Sequence, residues 1–415
     1  MTVIATRVQA LTVETTPLDD VRHIIPFTDS HAPLLWMRKG EGIAGVGEAL
    51  RLEFRGADRI ARASAAWKQL ASVSSVHDTV RVPGTGLVAF GTFAFDDESA
   101  AASVLVVPQV VIGRRDGRSW ITRIRSSDAP AMPPVPHPES FGAEYRLTMM
   151  PGKLTREAYK RAVSVAVERI GRGDLEKVVL ARDLHTHLPA ESDVRRALVE
   201  LALGYPQCWT YAVDGILGSS PETLVRVHHG TIDARVLAGT SGRGRDAASD
   251  HDSADELLHS AKDREEHAVA VRSVIGALRP HTSALEASEA PFPLKLPNLW
   301  HLATDVTGTL NDGSGSLDLV AGLHPTAAVA GTPTDAAVRL IRELEPFDRE
   351  RYAGPVGWIG ADGDGEWAIA LRCAQVTSNG DITAYAGCGI MADSVPEREL
   401  AETSMKFRPV TEAFQ

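Results

Sequence analysis

In "GEWAIALRCAQVTSNGDITAYAGCGIM", Gly365 to Met391, two runs with apolar residues at alternate positions flank the dipeptide Asn379-Gly380. A period of two marks a strand with one face buried, and Asn-Gly best tolerates the positive φ angles of a tight turn. This stretch is read as an antiparallel hairpin, with Arg372 inside its first strand. A second hairpin is expected in "ETLVRVHHGTIDARVLAGT", turning at His229-Gly230. Apolar residues at helical spacing predict helices in "DRIARASAAWKQLASV", "TREAYKRAVSVAVERIGRGD", "SADELLHSAKDREEHAVAVRSVIGAL" and "PERELAETSMKFRPVTEAF". Hairpins interleaved with long helices argue for an α+β fold with largely antiparallel sheets, not a βαβ series.

The proline-rich stretch "SSDAPAMPPVPHPES", Ser126 to Ser140, reads as an irregular connector. It separates a half with little recognisable chemistry, residues 1–140, from the half that holds the candidate residues, 150–412.

Charge narrows the range of partners. Asp plus Glu number 54 against 43 Lys plus Arg, and no sustained basic run offers a footprint for nucleic acid or an anionic membrane. Three cysteines lie far apart without a CxxC spacing, so neither a disulfide framework nor a thiolate zinc site is expected, and a reducing cytoplasm fits. The stretch "MTVIATRVQALTVETTPLDD" lacks the apolar core of a signal peptide, and no window is apolar for the ~18 residues a membrane span needs.

Several residues stand out chemically. Asp263 with Glu266, and Glu399 with Glu402, are carboxylate pairs at i,i+3, a spacing that puts each pair on one helical face. Like charges so placed either share a cation such as Mg²⁺, which prefers carboxylate oxygens and water, or form solvated faces. Glu222 follows a Gly-Ser-Ser-Pro turn, where burial would raise its pKa and suit it to general acid work; an exposed strand-initial glutamate is the alternative. Gly239, Thr240, Gly242 and Gly244 could offer backbone amides to an anion but match no nucleotide-binding fingerprint. A buried Arg372 would need a carboxylate, from the protein or from a substrate. His301 and His324, each among apolar neighbours, read equally as core residues. Lys177 opens the apolar strand "KVVLARDL" and is either a solvated strand end or a chemical group.

Taken in order, "LEKVVLAR", "GSSPETLVRV", "LAGT", "KDREEH", "LWHLAT", "LHPTAAVAGTP", "ELEPFDRERYAGPVGW", "GEWAIALRCA", "AGCGI" and "ELAET" resemble the chorismate-utilising enzymes, the family of isochorismate, salicylate, anthranilate and aminodeoxychorismate synthases. The resemblance runs from about residue 170 to 406 and is loose over the first 150. It implies one large α+β domain with a core of mostly antiparallel sheets flanked by helices, chorismate as substrate and Mg²⁺ as required ion. Lys177 would be the general base that activates water for attack on ring carbon 2. Glu222 would be the general acid that protonates the hydroxyl leaving carbon 4. Glu266 and Glu402 match the direct metal ligands, with Asp263 and Glu399 acting through water. Arg372 and Lys406 would hold the enolpyruvyl carboxylate, assisted by Tyr352 and backbone near Gly387. Gly239 and Thr240 would line the ring-carboxylate side, His301 would lie beside the ring, and Ala328 and Val329 would wall it.

Members that add water carry lysine at the position of Lys177, which sets aside the ammonia-using members and their glutaminase subunit and makes a monomer the expected state. Thr334 stands in "AGTPTDAA" where pyruvate-eliminating members commonly carry lysine. The expected activity is therefore isomerisation of chorismate to isochorismate, for menaquinone or siderophore biosynthesis. The rivals are a salicylate synthase and a chorismate-binding protein without turnover.

Overall fold

The strand Lys177–His187 pairs along its length with Asp381–Ile390, and its first two residues pair on the other side with Gly331–Thr332. Lys177 therefore starts inside a sheet rather than at a free edge. In the computed structural model, which describes residues 10–19 and 21–415, this strand belongs to a sheet of 13 described strands. A second sheet of 10 shares one apolar core with it, drawing Val178 and Leu180 from the first and Val225 and Trp367 from the second. Residues 1–9 of the stretch read as lacking a signal peptide lie outside the described residues.

The described pairings are antiparallel except that between Leu11–Pro17 and Ser75–Asp78. Strands from both sides of the proline-rich connector enter both sheets. In the smaller sheet, for example, Pro355–Gly360 pairs with Val88–Thr92. Residues 127–149 themselves form neither helix nor strand. On the far face of the larger sheet, Ala374, Ile382 and Ala384 pack with Leu198 and Leu201 of one helix and Phe407 and Val410 of another. This is the alternation that the sequence displays: successive strand residues serve opposite faces.

Three expectations are corrected. The segment "SADELLHSAKDREEHAVAVRSVIGAL" forms two helices, Ala247–His259 and Ala261–Leu278, because Ser260 adopts an extended backbone and its hydroxyl accepts the Asp263 N–H at 3.2 Å. A serine that can bond a nearby backbone amide favours a cap over a helix interior. The run "EWAIALRCAQV" is also two strands: Gly365–Ile369 lies in the smaller sheet and Cys373–Val376 in the larger. Arg372, at φ +50°, sits in the link between them. Finally, at the Asn379-Gly380 turn only Gly380 has positive φ, and the Gly380 N–H returns to Thr377 O at 3.0 Å. The paired positive φ values occur instead at His229 (+48°) and Gly230 (+77°), a tight two-residue hairpin.

Candidate active site

Two links that cross between the sheets meet at the centre of the molecule. Pro221-Glu222 joins Ile216–Ser220 of the larger sheet to Thr223–His228 of the smaller, and Ala370–Arg372 makes the reverse crossing. They bond one another: Ile369 N–H donates to Glu222 O at 3.3 Å, and Ser219 N–H to Arg372 O at 3.1 Å. Each sheet change turns a residue of an apolar strand into the space between sheets. This places a carboxyl and a guanidinium side by side around one cleft of about 570 Å³, open mouth included.

Glu222, Gly239, Thr240, Glu266, His301, Ala328, Val329, Tyr352, Arg372, Gly387, Glu402 and Lys406 line the cleft. Lys177, Asp263 and Glu399 stand behind that lining. Gly239, at φ +81°, makes a bulge in Thr231–Gly242, and a Cβ there would come within 3.0 Å of Asp263 Cβ. Asp263 and Glu266 ride on the helix Ala261–Leu278, while Glu399, Glu402 and Lys406 ride on Pro396–Ala413. Gly242 and Gly244 lie outside the lining of the cleft, so the anion cradle read in "GTSGRG" is limited to Gly239 and Thr240.

Lys177 is fully buried, with its Nζ 3.0 Å from Glu266 Oε1 at an angle that makes no well-directed hydrogen bond. It is therefore not a solvated strand end, and a carboxylate is its nearest ionic partner. Burial pushes the Glu266 carboxyl up, but Lys177, then Lys406 and Lys262, more than offset this and hold it below the usual range. At Glu222 the balance is opposite. Burial outweighs the attraction of Lys177, Arg372 and Lys406 and pushes its carboxyl up to about 8.

Arg372 Nη2 donates to His301 Nε2 at 3.0 Å. An arginine can only donate, so Nε2 is the acceptor and the ring proton sits on Nδ1, 3.1 Å from Gly239 O. Burial, and then Arg372, hold His301 well below the imidazole range, which keeps it neutral. Among the described residues no carboxylate comes within ion-pair distance of Arg372. Lys406 bonds Glu402 Oε1 at 2.6 Å and Gly387 O at 3.0 Å. His324 lies elsewhere, its Nε2 bonded to Phe95 O at 2.9 Å and its ring edge-on to Phe95, a core histidine outside the cleft.

The acidic residues fit a hard cation. All four contribute oxygen alone, and each now faces a separate partner: Glu266 faces Lys177, Glu402 faces Lys406, Glu399 faces Lys262 at 3.2 Å, and Asp263 faces the Ser260 hydroxyl. Burial and the neighbouring carboxylates, Glu266 and Glu402 for Asp263 and Glu402 for Glu399, hold these two above the usual range. That excess of negative charge is what a divalent ion relieves.

Some functional positions escaped the sequence reading. Gly389 pairs with Val179, and a Cβ on it would stand 2.2 Å from Glu266 Oε1 and 2.9 Å from Lys177 Cε. The glycine inside the strand "AGCGI" was the available signal, since a strand glycine marks a close approach. The buried pair Glu345 and Arg349 was also missed. Glu345 Oε1 accepts the Ala181 N–H at 2.8 Å, and Arg349 donates to Val179 O at 2.7 Å and Val329 O at 2.9 Å. It thereby braces the Lys177 strand against the Val329 wall.

A family model described as chorismate binding enzyme matches residues 6–132 and 136–415. The chain is 42% identical over 270 residues to isochorismate synthase DhbC of Bacillus subtilis, covering 62% of this chain and 68% of that one. With the putative isochorismate synthase MenF of Mycobacterium tuberculosis it is 36% identical over 348 residues, 80% and 87% of the two chains. Among solved structures, the putative 2,3-dihydroxybenzoate-specific isochorismate synthase DhbC from Bacillus anthracis superposes with a TM-score of 0.77 at 32% identity, over 94% of this chain and 98% of that one. MenF from Escherichia coli, at 24% identity and a TM-score of 0.78 over 98% and 95%, shares the fold. The chain belongs to the family of chorismate binding enzymes.

Proposed function

We propose that this chain converts chorismate to isochorismate, with Lys177 as general base and Glu222 as general acid. One observation carries the reading: Arg372, a buried cation, faces the cleft with no carboxylate partner among the described residues, beside a carboxyl held protonated to about pH 8. A dicarboxylate substrate that must lose a hydroxyl supplies what both residues lack. The relatives named isochorismate synthase support the same choice.

The enolpyruvyl carboxylate would bind Arg372 and Lys406, with Tyr352 and the backbone at Gly387 beside it. Gly239 and Thr240 would border the ring carboxylate, His301 would lie against the ring, and Ala328 and Val329 would exclude water above it. Lys177 takes a proton from the water whose oxygen bonds carbon 2. The ring double bond shifts as the carbon 4 to oxygen bond breaks, and Glu222 gives its proton to the departing hydroxyl, so one water enters and one leaves. Two groups on opposite sides of the ring, one taking and one giving a proton, make this possible. Glu266 and Glu402 would hold Mg²⁺, with Asp263 and Glu399 acting through water; when bound, the ion neutralises the ring carboxylate. The enzyme would act in the cytoplasm as a monomer without a glutaminase subunit, in keeping with three free, buried cysteines. No helix of the described residues is long and apolar enough to cross a membrane.

Chromatography of chorismate incubated with the protein, with and without Mg²⁺, tests this. Isochorismate formed only with Mg²⁺ is expected. Fluorescent salicylate appearing without an added lyase would instead assign the chain to the pyruvate-eliminating branch.

A further inference from the structure

The hairpin that starts after Glu222 and returns to Gly239 has its turn at His228–Thr231, far from the cleft. The six residues Thr223–His228, at about 3.3 Å each, place that turn roughly 20 Å away. Here His228 Nδ1 lies 3.1 Å and His229 Nδ1 3.7 Å from the same Asp364 Oδ2. Asp364 comes from the adjacent turn between Pro355–Gly360 and Gly365–Ile369.

A tetrahedral ion with bonds of about 2.0–2.1 Å separates its ligand atoms by about 3.4 Å, and the two spacings bracket that value. All three donor atoms lie within 4.8 Å of one another. Hydrogen bonding accounts for His228 but not for His229, whose Nδ1 is beyond hydrogen-bond reach of the carboxylate it faces. The carboxylate is already positioned, because both of its oxygens accept the His229 N–H at 3.0 Å. The histidine rings lie with centroids 4.1 Å apart and planes tilted by 34°, and a second cleft, lined also by Asp362 and Asp78, leaves room for a further ligand.

We propose that His228, His229 and Asp364 bind a divalent transition-metal ion of the zinc class, which ties two neighbouring turns of the smaller sheet together. Two imidazoles and one carboxylate select such an ion over Mg²⁺, so this site is chemically distinct from the acidic helices. The proposal is independent of the chorismate reading, since it concerns only the far end of the hairpin.

The test uses untagged full-length protein, stripped by chelator and then kept in saturating Mg²⁺ to occupy the acidic helices. Zn²⁺ is titrated by calorimetry and Co²⁺ by visible absorption. One Zn²⁺ per chain is expected, with the visible bands of a nitrogen-ligated tetrahedral cobalt. His229→Gly keeps the turn conformation, and it should weaken Zn²⁺ binding at least about 100-fold, beyond the 10–100-fold that loss of a supporting partner costs. Asp364→Asn should act in the same direction, and circular dichroism of both variants should match wild type. Wild type that takes up no Zn²⁺, or His229→Gly that binds it with unchanged stoichiometry and affinity, would overturn the proposal.

Discussion

Lys177 Nζ and Glu266 Oε1 stand 3.0 Å apart, the lysine fully buried and the Glu266 side chain 11% exposed. The residue read as the base and the residue read as a metal ligand are thus each other's ionic partners. A cation arriving at Glu266 competes for the carboxylate that now faces the lysine, which couples the metal to the freedom of the base.

That coupling predicts a stability effect. Lys177→Ala leaves Glu266 buried and unpaired, a change that typically costs about 3–5 kcal/mol. Mg²⁺ should restore part of this loss, so the gain in denaturant midpoint on adding Mg²⁺ should be larger for Lys177→Ala than for wild type. Equal gains in the two proteins would mean that ion and lysine do not share the carboxylate.

Glu222 sets a pH dependence. Its folded-state value, about 8, lies above the ordinary glutamate value of 4.5, so between these limits the folded state holds a proton that the unfolded state has lost. Its contribution to stability therefore falls as pH rises from about 4.5 toward 8. Glu222→Gln should remove that slope and stabilise the protein by about 3 kcal/mol at pH 7, at 1.36 kcal/mol per unit. Activity should fall in wild type as pH passes about 8, because the acid is then ionised. A turnover profile that stays flat through this range would remove Glu222 from the acid role.

Arg372 owes its direction to the break between sheets and to His301. Arg372→Lys keeps a charge but loses the planar fork, and should lower kcat/KM by about 10–100-fold, mostly through KM, since a charged hydrogen bond contributes about 1.5–3 kcal/mol. His301→Ala should shift KM in the same direction by a smaller factor. Steady-state kinetics with the two parameters separated will show whether the loss falls on binding.

Two glycines provide a steric comparison. Gly389→Ala must displace Glu266 or Lys177, since its Cβ would stand 2.2 Å from Glu266 Oε1, and kcat should drop at least 10-fold, the order of a lost acid or base contribution. Gly322 sits in the helix Ser316–Leu323 with nothing near its Cβ position, and Gly322→Ala should stabilise the protein by about 0.5–1 kcal/mol with activity intact. Chevron or denaturant curves and turnover of both variants check the contrast.

The helical carboxylates were legible because an i,i+3 spacing fixes a shared face whatever the helix packs against. The fold class was legible for the same reason, since hairpin and helix periods are local signals. The partner of Lys177 was not, because Glu266 is brought to it only by the approach of a helix at Gly389, a tertiary contact that leaves no periodic trace. Nor was the sheet crossing at Arg372 legible: Ala370-Leu371 continues the apolar run, and the φ of +50° is imposed by the two sheets that the link joins. In the same way, the pattern around Ser260 is helical on both sides, and only its capping bond to Asp263 divides the segment.

The central claim is that Lys177 activates a water for addition at ring carbon 2. Chorismate turnover in water enriched in heavy oxygen, with mass spectrometry of the separated product, tests it most directly. The account predicts isochorismate carrying one solvent oxygen, no pyruvate, and a rate reduced about 10²–10⁴-fold in Lys177→Ala. Unlabelled isochorismate, or a Lys177→Ala variant that turns over at the wild-type rate, would contradict it.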